Sequence, residues 1–361
     1  MAKKTYPLRE TVLGLDYYTR IPVQGVNLRS CELLHPKITA ILANHVTTDT
    51  NHFQLYPFPQ TTINYIADYL HIPRERLTLS AGSDPIISII IEALGTISGR
   101  MILQTPNYFG WQDYAKLRGL TTTPYFFGQP SQHTFCLSAL LQLINTQAPS
   151  LVVISNPNSP TGYTFKPDEI LCLVNACEER GHLLIIDECF AAFANINHYE
   201  IIGLQEHVVI IRSYSKVLGL AGTRIALTIA SKKITEYLAR WRPDAAVSGS
   251  ALHMLASLIN KEAELREIYN DIANTREKFV AGVKKINPAW IALPSEANFI
   301  NFYLPKNEDP AFITAYLQQY GYVIRNVSAL PGLESCLRFG IAHWDIMQDL
   351  LNTLNQLGLS T

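Results

Sequence analysis

Short apolar runs recur through the middle of this chain, and longer amphipathic stretches separate them. The runs are Leu77–Ser80, Met101–Gln104, Leu151–Ser155, Leu183–Asp187, Val208–Arg212 and Ile225–Ile229. Helical periodicity fills the intervals at Pro85–Leu94, Trp111–Arg118, Ser138–Ile144 and Pro167–Arg180. Strands buried on both faces and alternating with helices imply an α/β fold, a doubly wound and mainly parallel sheet. After about Arg242 the texture changes, and Ser250–Lys285 carries one long amphipathic pattern rich in Glu, Lys and Arg. Strands are then expected at Asn298–Leu304, Tyr322–Arg325 and Cys336–Ile341, with helices at Ala311–Tyr320 and Trp344–Leu357. The chain thus divides into a large α/β domain (44–243) and a small α+β domain (244–361), with an N-terminal arm (1–43) packing on the latter.

Composition narrows the function. Hydrophobic residues make up 48% of 361 and charged ones only 16%, which describes a packed globule rather than a disordered chain. Lys and Arg number 29 against 30 Asp and Glu, so no basic field awaits nucleic acid. The greasiest stretch, Pro85–Leu94, contains Glu92 and is far shorter than the ~20 residues of a membrane span. The opening Met-Ala-Lys-Lys-Thr-Tyr is unlike a secretory signal, and six cysteines lack any C-x-x-C pair. Ten histidines show no H-E-x-x-H spacing. A cytoplasmic enzyme without a structural metal is the expectation.

In doubly wound sheets, ligands bind beyond the carboxyl ends of the strands. The segments that leave the strands here are unusually polar: Gly82-Ser83-Asp84, Thr105-Pro106-Asn107-Tyr108, Asn156 to Gly162, Asp187-Glu188-Cys189-Phe190 and Ser213-Tyr214-Ser215-Lys216. Gly82-Ser83-Asp84 opens a helix, where free N–H groups and the helix dipole suit a phosphate; a plain N-cap is the alternative. Ser213, Ser215 and Arg224 can add contacts to the same anion. Asp187 ends an apolar strand and needs a partner, such as a protonated ring nitrogen, unless it merely caps the next helix. Lys216 lies among small and apolar residues, a setting in which a lysine can form a Schiff base, although most loop lysines are simply solvated. Tyr108 can stack on an aromatic ring or serve the core.

Together these motifs resemble the fold-type-I pyridoxal-phosphate enzymes, and within them the class I/II aminotransferases of the histidinol-phosphate aminotransferase branch. Ser-Tyr-Ser-Lys-Val-Leu-Gly-Leu-Ala-Gly-Thr-Arg, from Ser213 to Arg224, is similar to the segment that carries the cofactor. The resemblance implies that Lys216 holds pyridoxal 5′-phosphate, with Gly82, Ser83, Asp84, Ser213, Ser215 and Arg224 around its phosphate. It further implies that Tyr108 stacks on the ring and Asp187 pairs with the ring nitrogen. Leu55-Tyr56-Pro57 is similar to a segment whose tyrosine reaches the partner subunit's cofactor, which implies a homodimer completed by Tyr56. Arg338, and with it Arg325, matches arginines that bind the carboxylate or phosphate of the substrate.

Three departures qualify the match. Ser159, with Asn158 before it, stands where an Asn usually precedes Pro-Thr-Gly, and Phe190 stands where a Tyr is common. Both places line the cofactor's 3′-oxygen in the family. Of an N-terminal Asn-Glu-Asn-Pro segment that closes over substrate, only Glu32 is retained. The implied reaction moves an amino group from an amino acid or amino-alcohol phosphate to a 2-oxo acid such as 2-oxoglutarate. Threonine-phosphate decarboxylase, which shares most of these motifs and also carries Phe at this place, gives a second reading. A cofactor-binding protein without turnover is a third.

Overall fold

The computed structural model describes residue 12 and residues 22–128, 133–203 and 205–357. A two-residue strand, β1 (Val26–Asn27), comes first, followed by helices Pro36–His45 and Pro59–Leu70. The central sheet has seven strands: β2 (Leu77–Ser80), β3 (Arg100–Thr105), β4 (Thr121–Phe126), β5 (Leu151–Ser155), β6 (Leu183–Asp187), β7 (Val208–Ser213) and β8 (Ala226–Ile229). Their order across the sheet is β2-β8-β7-β6-β5-β3-β4, parallel except for β8, which runs antiparallel to both neighbours.

Alternate residues of β6 explain the apolar runs. Leu184 and Ile186 join one core cluster, which continues under the C-terminal elements, while Ile185 joins a second on the opposite face. Both faces are covered, so both must be apolar. The edge strand β4 escaped the sequence reading because its three threonines form no apolar run, although β-branched residues suit a half-exposed edge.

The single helix expected over Ser250–Lys285 is two, Gly249–Leu258 and Glu262–Ile286. The first is apolar on most sides and buries Ala251, Leu252, Met254, Leu255 and Leu258. The second buries only one stripe, Leu265, Ile268, Ile272, Phe279 and Val283. The intervening turn at Ile259–Lys261 lets each present its own face. Beyond it, β9 (Ile291–Leu293), β10 (Phe299–Tyr303), β11 (Tyr322–Val323), β12 (Arg325–Asn326) and β13 (Cys336–Gly340) follow in sequence. The expected strand Tyr322–Arg325 is split: β11 pairs in parallel with β1, whereas β12 joins the four-stranded sheet β12-β13-β10-β9. Ile324, buried between them, marks the change of partner.

The segment after β1 crosses closely over β13: the Gly340 N–H donates to the Leu28 carbonyl at 3.0 Å. A Cβ at Gly340 would sit 2.4 Å from that carbonyl oxygen. Gly340→Ala should therefore push the N-terminal segment off β13 and destabilise the fold by roughly 2 kcal/mol. Urea unfolding with an unchanged midpoint would show that the crossing is loose.

Candidate active site

Register places the strand ends on one rim. Ser80 and Ser213 both face Ala226, and Asp187 aligns with Ser155 on β5 and Ile211 on β7. The turns after β2, β3, β5, β6 and β7 are therefore neighbours. The loop after β5 is also tied to the four-stranded sheet, because the Asn301 amide donates to the carbonyls of Pro160 and Thr161.

At the β2 end, Gly82 takes φ +90° and precedes the helix Ser83–Ile90, whose first N–H groups point along the rim. A Cβ there would meet the tip of the flexible Arg224 side chain at 2.8 Å, and the positive φ is what calls for glycine. Arg224 Nη2 lies 3.6 Å from Asp84 Oδ2, and the Tyr108 hydroxyl donates to the same carboxylate. Ser213 caps the turn Tyr214–Val217 by accepting from the Ser215 N–H, and both serines are buried. Helix-end N–H groups, two serine hydroxyls and the Arg224 guanidinium are the kinds of donor that a phosphate would need.

Asp187 is 4% exposed. Its Oδ1 accepts from the Cys189 N–H at 3.0 Å and its Oδ2 from the Trp111 indole at 3.5 Å. Both donors are neutral. Burial dominates and lifts the carboxyl from 3.8 to about 6 against the pull of these two hydrogen bonds. Arg338, on β13, is 3% exposed. Its Nη1 donates to Ser159 Oγ at 3.2 Å and its Nη2 to the Arg29 carbonyl at 2.7 Å. Lys216 Nζ donates to the Ser30 carbonyl, so one N-terminal turn touches both cations. Among the described residues neither Asp187 nor Arg338 has an ion-pair partner.

The remaining expected residues are more varied. Arg325 is the cross-strand partner of Arg338, which puts two cations on one face of the small sheet. Asn158 is buried with its amide committed to the Pro106 carbonyl and to Thr161, so it braces the loop. The hydroxyl of Ser159 turns to Arg338, and Phe190 packs on Phe299. Glu32 is half-buried and accepts from Asn27. Tyr56 is 86% exposed beside the exposed side chains of Phe53, Leu55 and Phe58.

Several participants had not been singled out. Trp111 follows Tyr108 by three residues, a helical spacing that was a usable signal. The carbonyls of Arg29 and Ser30 gave none, since any residue supplies them. Behind Asp187, Glu188 holds His198 and Arg212 at 2.7 Å each in a buried network. Burial alone would raise the Glu188 carboxyl, but Arg212 and His198 outweigh it and bring it to about 2.

A lysine and a buried aspartate near a glycine-led helix end, all at the carboxyl edge of a doubly wound sheet, are the arrangement of a pyridoxal-phosphate enzyme of fold type I. The chain belongs to the aminotransferase class I and II family, whose model matches residues 24–349. The histidinol-phosphate aminotransferase of Ruminiclostridium cellulolyticum is 26% identical over 323 residues, 89% of this chain and 88% of that protein. The structure of the histidinol-phosphate aminotransferase from Clostridium acetobutylicum superposes with a TM-score of 0.82 at 21% identity, covering 92% of this chain and 98% of that one. The Sinorhizobium meliloti histidinol-phosphate aminotransferase, solved in complex with pyridoxal-5′-phosphate, gives 0.79 at 19% identity and covers 99% of this chain and all of that one.

The raised Asp187 carboxyl fixes a pH dependence. A folded-state value near 6 against 3.8 means that the buried charge opposes folding above pH 6 and ceases to do so as pH falls below 4. Cofactor-free Asp187→Asn should thus be more stable than cofactor-free wild type by roughly 3 kcal/mol at pH 8. The difference should vanish toward pH 4. Equal denaturation midpoints at pH 8 would show that the carboxylate already has a cationic partner.

Proposed function

We propose that this aminotransferase takes an amino donor ending in a carboxylate or phosphate and delivers the amino group to a 2-oxo acid, 2-oxoglutarate first among them, as histidinol-phosphate aminotransferases do. The observation that carries this is the pair of buried charges, Asp187 and Arg338, neither of which has an ion-pair partner among the described residues. A buried ion without a partner is expensive, so the site is built to receive a cation at one end and an anion at the other. Arg325, directly across the strand pair from Arg338, deepens the positive field and favours a phosphate-bearing donor.

When bound, pyridoxal phosphate supplies an aldehyde that condenses with amines and a ring that accepts electrons. Gly82, Ser83, Ser213, Ser215 and Arg224 would hold its phosphate, with Asp84 orienting Arg224 and Tyr108. Tyr108 would stack on the ring, and Asp187 would keep the ring nitrogen protonated. Lys216 would anchor the cofactor, and its amine, when free, would remove the proton at the donor's Cα, the step at which a positioned base is worth most. Arg338 fixes the anionic end, so that this Cα–H bond faces Lys216.

The exposed run from Phe53 to Phe58 is too apolar for a solvated surface and suits burial against a second copy, with Tyr56 serving the neighbouring cofactor phosphate. Six free cysteines suit a reducing cytoplasm. No helix among the described residues is long and apolar enough to cross a membrane.

The protein saturated with pyridoxal phosphate should show a visible band that one donor bleaches and 2-oxoglutarate restores. Glutamate, histidinol phosphate, aromatic amino acids and phosphothreonine make the panel. Carbon dioxide release without a 2-oxoglutarate requirement would replace transamination with decarboxylation. Arg338→Ala should lower kcat/KM on the order of a hundredfold for every anionic donor. Light scattering should report a dimer, and Tyr56→Phe should weaken cofactor binding; an active monomer contradicts the partner assignment.

A further inference from the structure

Arg338 is held by neutral groups alone. The Ser159 hydroxyl accepts from Nη1 and the Arg29 carbonyl from Nη2, while the guanidinium carbon lies 5.0 Å from the centroid of the Phe299 ring. Phe299 does not stand alone. Phe190, in the loop that follows Asp187, meets it edge-to-face with centroids 5.2 Å apart and planes at 85°. Both rings are buried, and Arg338 Nε is sealed from solvent without a partner. The guanidinium is thus clamped in three ways: a hydroxyl from the loop after β5, a backbone carbonyl from the N-terminal turn, and an aromatic platform buttressed from β6.

We propose that Ser159 and Phe190 are positioning residues for Arg338, and that their side chains serve the anion-binding cation rather than the cofactor. This rests on the reading of Arg338 as the group that binds the substrate's anionic end. A hydroxyl acceptor steers Nη1 without neutralising it, whereas a carboxylate in the same place would cancel the charge that the substrate needs. A cation–π contact likewise orients the guanidinium plane and leaves its positive charge available. The edge-to-face pair fixes Phe299 in turn: without the Phe190 ring, Phe299 is free to tilt and the platform under Arg338 shifts. The two residues act on the same cation from different elements, so their effects must be coupled.

The holoenzyme tests this. Ser159→Ala should raise KM for 2-oxoglutarate and for the amino donor by about tenfold, because it strands a buried donor on Arg338. Phe190→Leu should raise KM by about fivefold. In both, kcat should stay within about twofold of wild type, since ground-state and transition-state complexes share the clamp. The double variant should fall short of the product of the two effects. Ser159→Thr and Phe190→Tyr, which keep the hydroxyl and the ring edge, should hold KM near wild type and provide the answer if the harsher variants misfold. The pH profile of the bound cofactor's visible band should not move in Ser159→Ala or Phe190→Leu.

Unchanged KM together with a displaced absorbance profile would overturn the proposal and return both side chains to the cofactor. Independent effects that multiply fully would overturn the shared route through Arg338. An Arg338→Lys control separates the layers: if KM for anionic substrates ignores that change too, the fault lies in the anion-clamp reading itself.

Discussion

The constraint on which this molecule turns is the burial of two opposite charges without an ion-pair partner among the described residues. Asp187 and Arg338 are buried charges of opposite sign, each held by neutral hydrogen-bond partners and neither paired with an ion among the described residues. Joined to each other they would form an inert internal salt bridge. They are kept apart on separate sheets, and under the proposed function they call for one bound assembly that is cationic at one end and anionic at the other. The fold bears the desolvation of both groups, which the proposed cofactor and substrate would offset.

The parallel sheet is what makes such a separation possible. Every strand except β8 delivers its carboxyl end to the same rim, so turns far apart in sequence become neighbours without any one of them being long. Asp187 sits at the end of a strand buried on both faces, which strips it of water, while the glycine at position 82 opens the adjoining helix end to an anion. Arg338 enters from a different sheet, carried on β13. Asn301 fastens that sheet to the loop after β5. The aspartate and the arginine therefore keep their separation through packing and backbone hydrogen bonds, which are stiff, rather than through flexible side-chain pairing.

Much of this was legible in the sequence because it depends on local chemistry. Apolar runs buried on both faces announce a parallel sheet, and the strands β2, β5 and β6 begin and end where those runs do. The turns that leave them are polar for the same reason that a site forms there. The features that escaped detection depend on partners distant in the chain. The threonine-rich β4 reads as a strand only beside β3, and Tyr322–Arg325 divides because its two halves pair with different sheets. The contacts of Ser159 with Arg338 and of Phe190 with Phe299 also had no local signature, since a motif fixes position along the chain and not the direction of a side chain. The backbone carbonyls of Arg29 and Ser30 had no signature to read.

The claim that bears the most weight is that Lys216 is the amine that carries the cofactor between Asp187 and Arg338. Borohydride reduction of the protein saturated with pyridoxal phosphate, followed by peptide mapping, addresses it directly. One pyridoxyl group per chain on the peptide containing Lys216 is the predicted result. Label spread over surface lysines, or none on Lys216, would contradict that assignment.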